Sequence, residues 1–530
     1  MKSIETEVLV VGGGATGVGV ARDAALRGFD TVLVERKDLA EGTTGRYHGL
    51  LHSGGRYAVK DPQAARECAA ENVVLRRIAA DTIEDTGGLF VTTPWDDPEF
   101  GDRFVRGCAE NGVPVEEIEV ADALRREPAL HPKLRRAFLV ADASMDSWKL
   151  VWACARSAHR HGARILTYRA VTEVLRDGDA VAGVVVVDPR TGDELAVHAR
   201  LTVNATGAWA GRLTVMAGCR EVEVVPGKGI MIAMNHRIVN TVVNRCTMPS
   251  DGDILVPIRT VSVMGTTDSP VRDPDELEIT QAEVDHMLEE GEKLVPGFRS
   301  YRALRVWAGA RPLFGARPPG DGVTGPRAPG GDTRDITRAH ALIDHAERDG
   351  VGGFVTITGG KATTFRLMAE ETVDLACRKL DGAEAALRPC RTATELLPDA
   401  ENGYYSVRSR LAAREENLLD DQLVCECELV TRGTLEAALE RRPTANIDDV
   451  RRALRLGMGP CQGGFCTYRA AGILHCRQQL DQAAANAALL GFLQERWKGV
   501  APILYGDQLR QARLDDWLYQ GLLDVEHLPA

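Results

Sequence analysis

Two pairs of cysteines carry the most specific chemistry in this sequence. Cys425 and Cys427 stand one residue apart in "LVCECEL", and Cys461 and Cys466 follow in "MGPCQGGFC", giving C-x-C-x33-C-x4-C. In a chain without a secretory leader, clustered cysteines argue for metal or redox chemistry rather than a disulfide framework. Structural zinc usually separates the cysteines of each pair by about two to four residues. Four thiolates also suit a binuclear iron–sulfur cluster. Gly463 and Gly464 would keep the second ligand loop compact. The other cysteines are scattered and read as ordinary buried residues.

The other early signal is a glycine pattern, "VVGGGATGVGVARDAALRGFDTVLVER". Gly12, Gly14 and Gly17 fit G-x-G-x-x-G, and the surroundings read strand, turn, helix, strand. Gly12 permits a tight turn, Gly14 lets the backbone approach a pyrophosphate, and Gly17 allows close helix–strand packing. Helix-start amides then face phosphate. Glu35, ending the second strand, is placed to accept hydrogen bonds from a ribose. An N-terminal position before a long mixed chain favours FAD over NAD. "LTVNATGAWAG" (201–211) is a second buried strand entering a glycine turn, preceded by an alternating antiparallel unit with turns at "DGD" and "RTGD". "FVTITGGKATTFRLMAEETVDLA" (354–376) is a third strand, turn and helix. It is not a Walker A loop, because Ala362 stands where Ser or Thr is required.

These elements belong to a chain of 530 residues, 44% hydrophobic and 26% charged, enough for two or three domains. Val8–Val11 reads as a strand and not a signal peptide. No apolar run reaches the roughly 18 residues a membrane helix needs. The net charge of −12 argues against nucleic acid as a partner, so an anionic substrate would need a local basic pocket. Between the cysteine pairs, "RGTLEAALERR" and "NIDDVRRALRLG" have helical periodicity, with Asn446 or Asp448 able to cap the second. Residues 312–335, dense in Pro and Gly, are expected to be an exposed loop, an insertion in preference to a lid. Residues 381–420 read as a connector. The tail from "GFLQERWKGV" onward is rich in aromatics and is expected either to dock a partner or to pack back on the cysteine region.

Long stretches such as "TTGRYHGLLHSGGRYAVKDPQAARECAAEN", "NRCTMPSDGDILVP", "DHAERDG", "ITGGKATTFRLMAE" and "ERWKGV" make the chain resemble the FAD-dependent glycerol-3-phosphate dehydrogenases, most of all their anaerobic A subunits, within the D-amino-acid-oxidase-like class. The likeness covers essentially the whole chain. The cysteine pattern resembles the [2Fe–2S] module of bacterioferritin-associated ferredoxin. The resemblance implies an α/β fold: a doubly wound FAD-binding domain interleaved with an antiparallel-sheet substrate domain (1–385), a linker (386–420), a small helical [2Fe–2S] domain (421–475), and a C-terminal tail (476–530). It implies oxidation of sn-glycerol 3-phosphate to dihydroxyacetone phosphate, with FAD and a [2Fe–2S] cluster on Cys425, Cys427, Cys461 and Cys466.

The same resemblance places Arg311 and Lys361 near the flavin and the substrate hydroxyl, and Arg56, Tyr57 and Arg334 around the glycerol phosphate. His52 is the candidate for proton transfer. Cofactor contacts are expected at Gly12, Gly14, Ala15, Thr16, Gly17, Glu35 and Arg36; at Thr43 and Thr44; at Val171, Ala205 and Gly207; and at Gly309, Gly359 and Gly360. Where aerobic relatives carry a histidine after a Lys-Gly pair, this sequence reads "PGKGIMIAMNH", with Ile230 and Met231 there and His236 further on. The base is therefore left open. The implied partners are a second flavoprotein subunit together with a membrane-anchoring iron–sulfur subunit. Attachment would be peripheral to the cytoplasmic face of the inner membrane, with electrons passing to the respiratory quinone pool. The rival readings are an opine- or amino-acid-type dehydrogenase subunit, which needs a carboxylate clamp and no phosphate site, and a non-catalytic electron-transfer subunit.

Overall fold

The apolar run at Val8–Val11 becomes the buried half of the strand Lys2–Val11, the centre of the first sheet. The computed structural model describes residues 2–314, 333–416, 421–442, 446–478, 480–522 and 524. Lys2–Val11 pairs in parallel with Thr31–Val34 on one side and Glu194–Asn204 on the other. Arg164–Leu166 and Phe354–Gly359 extend the parallel set at its two ends. The meander Ala170–Asp177, Ala180–Val187 and Glu194–Asn204 is antiparallel, as the alternation and turn signals of that stretch predict. Helices Ala15–Leu26, Ser147–Arg160 and Phe365–Asp381 pack together on this sheet around a core that includes Val8, Leu33, Val203 and Phe365. Strands buried on both faces and covered by helices are what a doubly wound sheet requires.

A second, nine-stranded sheet is drawn from the intervening segments 88–140 and 225–313. Its pairings are antiparallel except for Val242–Arg245 beside Gly88–Thr92. The long pair Val225–Met234 and Ala303–Leu313 brings Gly227 opposite Arg311. The chain thus crosses between the two sheets several times, and the loops that cross line one cleft. The expected loop at 312–335 lies, over residues 315–332, outside the described residues.

The connector packs on the N-terminal lobe: Leu397 and Tyr405 donate their N–H groups to the carbonyls of Ile78 and Ile83. The cysteine region then forms its own core from Val424, Leu435, Leu439, Ile447, Val450, Leu474 and Phe492. Helices Arg432–Arg441 and Ile447–Leu454 occupy the two stretches whose periodicity predicts them. Asn446 caps the second: its side chain accepts from Asp449 N–H at 2.8 Å, and Asp449 returns the bond. The tail packs back. Helix Gln482–Val500 inserts Phe492 into the module core and lies along strand Ala303–Leu313, where Arg305 donates to the Glu495 carbonyl at 3.1 Å. Among the described residues no helix is long and apolar enough to cross a membrane.

Candidate active site and four-cysteine module

The glycine turn is shaped by what it excludes. Gly12 has φ +115°, and a Cβ there would stand 2.6 Å from the Ala205 carbonyl oxygen; at Gly17 it would stand 1.8 Å from the Gly12 oxygen. Gly14 precedes helix Ala15–Leu26 with no side-chain cap, so the first amides have no capping carboxylate or amide to satisfy them. Thr44 Oγ1 accepts from Ala15 N–H at 3.0 Å and places a hydroxyl beside them. Glu35 is half-buried and accepts from Gly13 N–H at 2.6 Å and Lys37 N–H at 3.0 Å, leaving lone pairs on both oxygens. Burial raises its proton affinity.

These groups open onto one cavity of 1880 Å³. Gly12, Gly14, Ala15, Thr16 and Glu35 line it at one end, with Arg36, Val171, Ala205 and Gly207 around them. Arg36 stacks 4.5 Å over Trp209 and pairs with Asp275. Thr43 and Thr44 lie along the middle, and Thr43 donates to the Ala310 carbonyl at 2.6 Å. Gly17 and Gly309 sit behind the wall: Gly17 lets the helix close on the turn, and a Cβ at Gly309 would meet the Arg46 carbonyl at 2.5 Å. A cavity this long, with a helix N-terminus at one end and a half-buried carboxylate beside it, fits an extended dinucleotide.

The far end is cationic. His52, Arg56 and Tyr57 come from the loop before helix Pro62–Ile78, Arg311 from the second sheet, and Lys361 from the turn after strand Phe354–Gly359. That turn needs Gly359 and Gly360, with φ +80° and +68°. Gly229 matters in the same way, since a Cβ there would come within 2.5 Å of Arg311 Nη2. Arg56 is held by buried Asp253 at 2.8 Å, and Arg311 by Asp268 at 2.8 Å. Burial, then Arg338, lowers the Arg311 pKa to about 10, still protonated at neutral pH. Arg334 pairs with Asp251.

Arg338, four residues further, is the group the sequence reading missed. It lines the cavity, and its buried Nη1 has no hydrogen-bond partner among the described residues. Asp61 fixes the segment by accepting from Arg338 N–H at 2.9 Å. Lys361 Nζ reaches the Arg338 carbonyl at 3.0 Å and stands 5.0 Å over the Tyr57 ring. Among the described residues neither the Arg338 nor the Lys361 side chain forms an ion pair with a carboxylate. The pocket therefore carries two cations without matched anions, the charge of one phosphate dianion. The signal for Arg338 was in the sequence, in "DTRDITRAH", but nothing there separates its two arginines.

His52 is buried, with its ring 5.2 Å from Tyr57 and 6.1 Å from His48. Burial, reinforced by His48, Arg56 and Lys361, holds its pKa well below the usual histidine value, so the ring is neutral and able to accept a proton. His48 also lines the cavity, and burial holds its pKa near about 3. It too escaped the sequence reading. In "PGKGIMIAMNH", Ile230 and Met231 are buried strand residues, and His236 is exposed near Tyr301, away from the cavity.

In the module, Cys427 Sγ and Cys461 Sγ lie 3.9 Å apart, and Cys425 pairs with Cys466. Cys461 is drawn down to about 6 by the Cys427 thiol and by N–H groups of Gly463, Gly464 and Phe465. Cys425 is lowered by Cys466 and by the Gly457 and Glu428 amides. Gly463 has φ +92°, and a Cβ at Gly459 would come within 2.3 Å of Cys427 Cβ. Backbone donors turned onto sulfur, and thiols set as two couples, fit a binuclear cluster with two ligands per iron. Among the described residues, the His/Cys/carboxylate trio with ligand atoms mutually within 4.8 Å is Cys219, His345 and Asp349. Both His345 nitrogens are already bonded, to Asp349 at 2.6 Å and Thr356 at 2.8 Å.

Known proteins resemble this chain along its length. The profile of the FAD dependent oxidoreductase family matches residues 7–375, and that of the BFD-like [2Fe-2S] binding domain matches residues 423–475. The chain is 44% identical over 546 residues to the A subunit of the anaerobic glycerol-3-phosphate dehydrogenase of Escherichia coli (strain K12), covering 99% of this chain and 98% of that one. It is 43% identical over 552 residues to the corresponding A1 subunit of Haloferax volcanii, covering 99% and 91%. Among solved structures, the glycerol-3-phosphate dehydrogenase from Bacillus halodurans complexed with FAD superposes with a TM-score of 0.57 at 22% identity, over 98% of this chain and 88% of that one. At that identity the likeness is one of fold.

Proposed function

From the premise that this chain belongs to the FAD-dependent oxidoreductase family, with a BFD-like [2Fe–2S] domain appended, we propose how its residues divide the work of oxidising sn-glycerol 3-phosphate to dihydroxyacetone phosphate. The protein is an FAD-dependent glycerol-3-phosphate dehydrogenase subunit, and these relatives do not favour the opine- or amino-acid-type and non-catalytic readings. Bound FAD supplies the hydride acceptor. Gly12, Gly14 and the helix amides hold its pyrophosphate, and Glu35 takes the ribose hydroxyls. Arg338, Arg56 and Arg334 receive the substrate phosphate, with Tyr57 packing beside it. Lys361 and Arg311 stabilise negative charge at the reacting end. His52 accepts the hydroxyl proton. With the dianion seated, its charge offsets Arg56 and Lys361, and the ring's proton affinity rises toward its ordinary value.

Cys425, Cys427, Cys461 and Cys466 hold the [2Fe–2S] cluster, which supplies the one-electron chemistry for the electrons' exit. The chain is one component of a multi-subunit assembly. Its companions in our reading are a second flavoprotein subunit together with a membrane-anchoring iron–sulfur subunit. The chain would attach peripherally at the cytoplasmic face and feed the quinone pool.

The observation that supports the substrate most directly is the unmatched cation pair, Arg338 and Lys361, beside Arg56 and Tyr57. Anaerobic stopped-flow bleaching of the bound flavin tests it. Glycerol 3-phosphate should bleach the flavin, while glycerol and amino acids should not. Bleaching by an amino acid in preference would sink the reading.

A further inference from the structure

The four-cysteine module does more than follow the flavin lobe in sequence. It forms part of the wall of the dinucleotide cavity: Arg451, Arg455, Met458 and Gln462 line it together with Gly12 and Thr44. The module is held there by charges that are buried or half-buried. Asp38, fully buried, accepts from Arg442 Nη2 at 2.6 Å and from Arg452 Nε at 3.2 Å. Arg452 also donates to Asp449 at 2.5 Å and lies 3.3 Å from Glu41. Tyr168, from the flavin lobe, donates its hydroxyl to Asp449 at 2.6 Å. The Arg442 guanidinium stacks 4.1 Å over Trp152. Two lobes therefore share one buried ionic network, in which losing a single partner leaves a buried charge without its counter-ion.

The loop that carries Asp38 is also the loop that braces the glycine turn. Ala40 N–H donates to the Gly13 carbonyl at 3.0 Å, and Glu35 accepts from Gly13 N–H at 2.6 Å. A Cβ at Gly13 would meet the Leu39 side chain at 2.6 Å. Shifting Asp38 therefore shifts the backbone against which the pyrophosphate is held. We propose that the four-cysteine module is a structural part of the FAD site, and that FAD binding and module docking are coupled through the Asp38–Arg442–Arg452 clamp. Coupling of this kind is reciprocal: whatever factor docking adds to FAD affinity, FAD adds to docking. The inference rests on the FAD assignment and is independent of the substrate.

The test uses the full-length chain with its cluster loaded and its flavin removed. FAD is titrated by fluorescence quenching, and amide hydrogen exchange over 446–462 reports docking. In the wild type, FAD should raise protection over 446–462. Asp38→Asn and Arg442→Met should each weaken FAD binding by between about fivefold and about a hundredfold and lower that protection. The double variant should cost little more than either single one, because both break the same network. Arg510→Met, on the exposed tail, should change neither readout. Arg442→Met leaves the fully buried carboxylate in place and serves where Asp38→Asn does not fold. Three results would overturn the proposal. In the first, the module is released while FAD affinity stays within twofold of wild type. In the second, FAD binding weakens with the module still protected. In the third, neither readout moves.

Discussion

At the glycine end of the cavity the ligand is to be held by backbone; at the cationic end it is to be held by side chains. The first end depends on what is missing. Gly12 and Gly17 leave no room for a Cβ, and the helix that follows starts from a glycine that caps nothing with a side chain. The second end depends on matched and unmatched charge: Asp253 and Asp268 fix Arg56 and Arg311, while among the described residues Arg338 and Lys361 have no carboxylate partner. The lesson is that the two ends should fail differently. A backbone site fails by steric exclusion, with loss of the ligand. A side-chain site fails in rate or affinity, with the fold intact. The cysteine module is the extreme of the second kind, since its ligand atoms are all side-chain sulfur.

The largest effect expected is at Gly17. Gly17→Val puts a branched side chain where even a Cβ stands 1.8 Å from the Gly12 carbonyl. Overpacking of this kind costs about 3 kcal/mol, and the purified variant should carry little FAD. The flavin-to-protein ratio measures it. A variant retaining full flavin would break the contrast between the two ends.

Cys461→Ser comes next. The serine oxygen is a poor thiolate substitute and the site has four ligands, so the cluster's paramagnetic signal should vanish on reduction. The flavin lobe should still be bleached in a single turnover by glycerol 3-phosphate, while steady-state transfer to the natural partner falls steeply. Stoichiometric zinc in the wild type, without a cluster signal, would reverse the assignment.

At the cationic end the effects are on rate and affinity. Lys361→Met keeps bulk and removes charge; FAD should stay bound and flavin reduction should slow by about a hundredfold or more. Arg338→Ala should raise the substrate concentration required by about thirtyfold, the worth of about 2 kcal/mol from a charge-assisted phosphate contact. Arg334→Ala should cost less, because Arg334 is already paired with Asp251. Equal losses in the two arginine variants would remove the distinction between them, and an equal loss toward unphosphorylated glycerol would show that neither reads the phosphate.

Much of this contrast was visible in the sequence, for physical reasons that also explain the gaps. Gly12, Gly14 and Gly17 are legible because only glycine fits a turn with those contacts. The cap was legible to one of two residues, Asn446 or Asp448, because capping is local, settled within three residues. The cysteines were legible because sulfur at that spacing has few other uses. The choice between Arg334 and Arg338 was not legible, since it is decided by Asp251 and Asp61, remote in sequence. His48 was hidden for the same reason, as its role comes from burial among cations. Nor does any local signal tie Asp38 to Arg442 and Arg452, more than 400 residues away.

The smallest expected effect concerns the neutral histidine at the cationic end. The folded state holds His52 well below its unfolded pKa of about 6.5. Below that pH the unfolded chain binds a proton at this position and the folded chain does not. Folding stability must therefore decline as pH falls through the unfolded value, and the contribution is absent above it. The slope for one such group approaches about 1.4 kcal/mol per pH unit. His52→Gln removes the titrating ring, so between pH 7 and pH 5 the variant should lose less stability than wild type, by up to that slope. Proton uptake on unfolding, measured by calorimetry in buffers of different ionisation heat, reads it directly as one proton fewer in the variant. Adding inorganic phosphate should shrink the difference, because a bound anion offsets the cations that depress the ring. An unchanged proton count in His52→Gln would mean that His52 is already charged in the folded protein, and it would then be unable to take the substrate's proton.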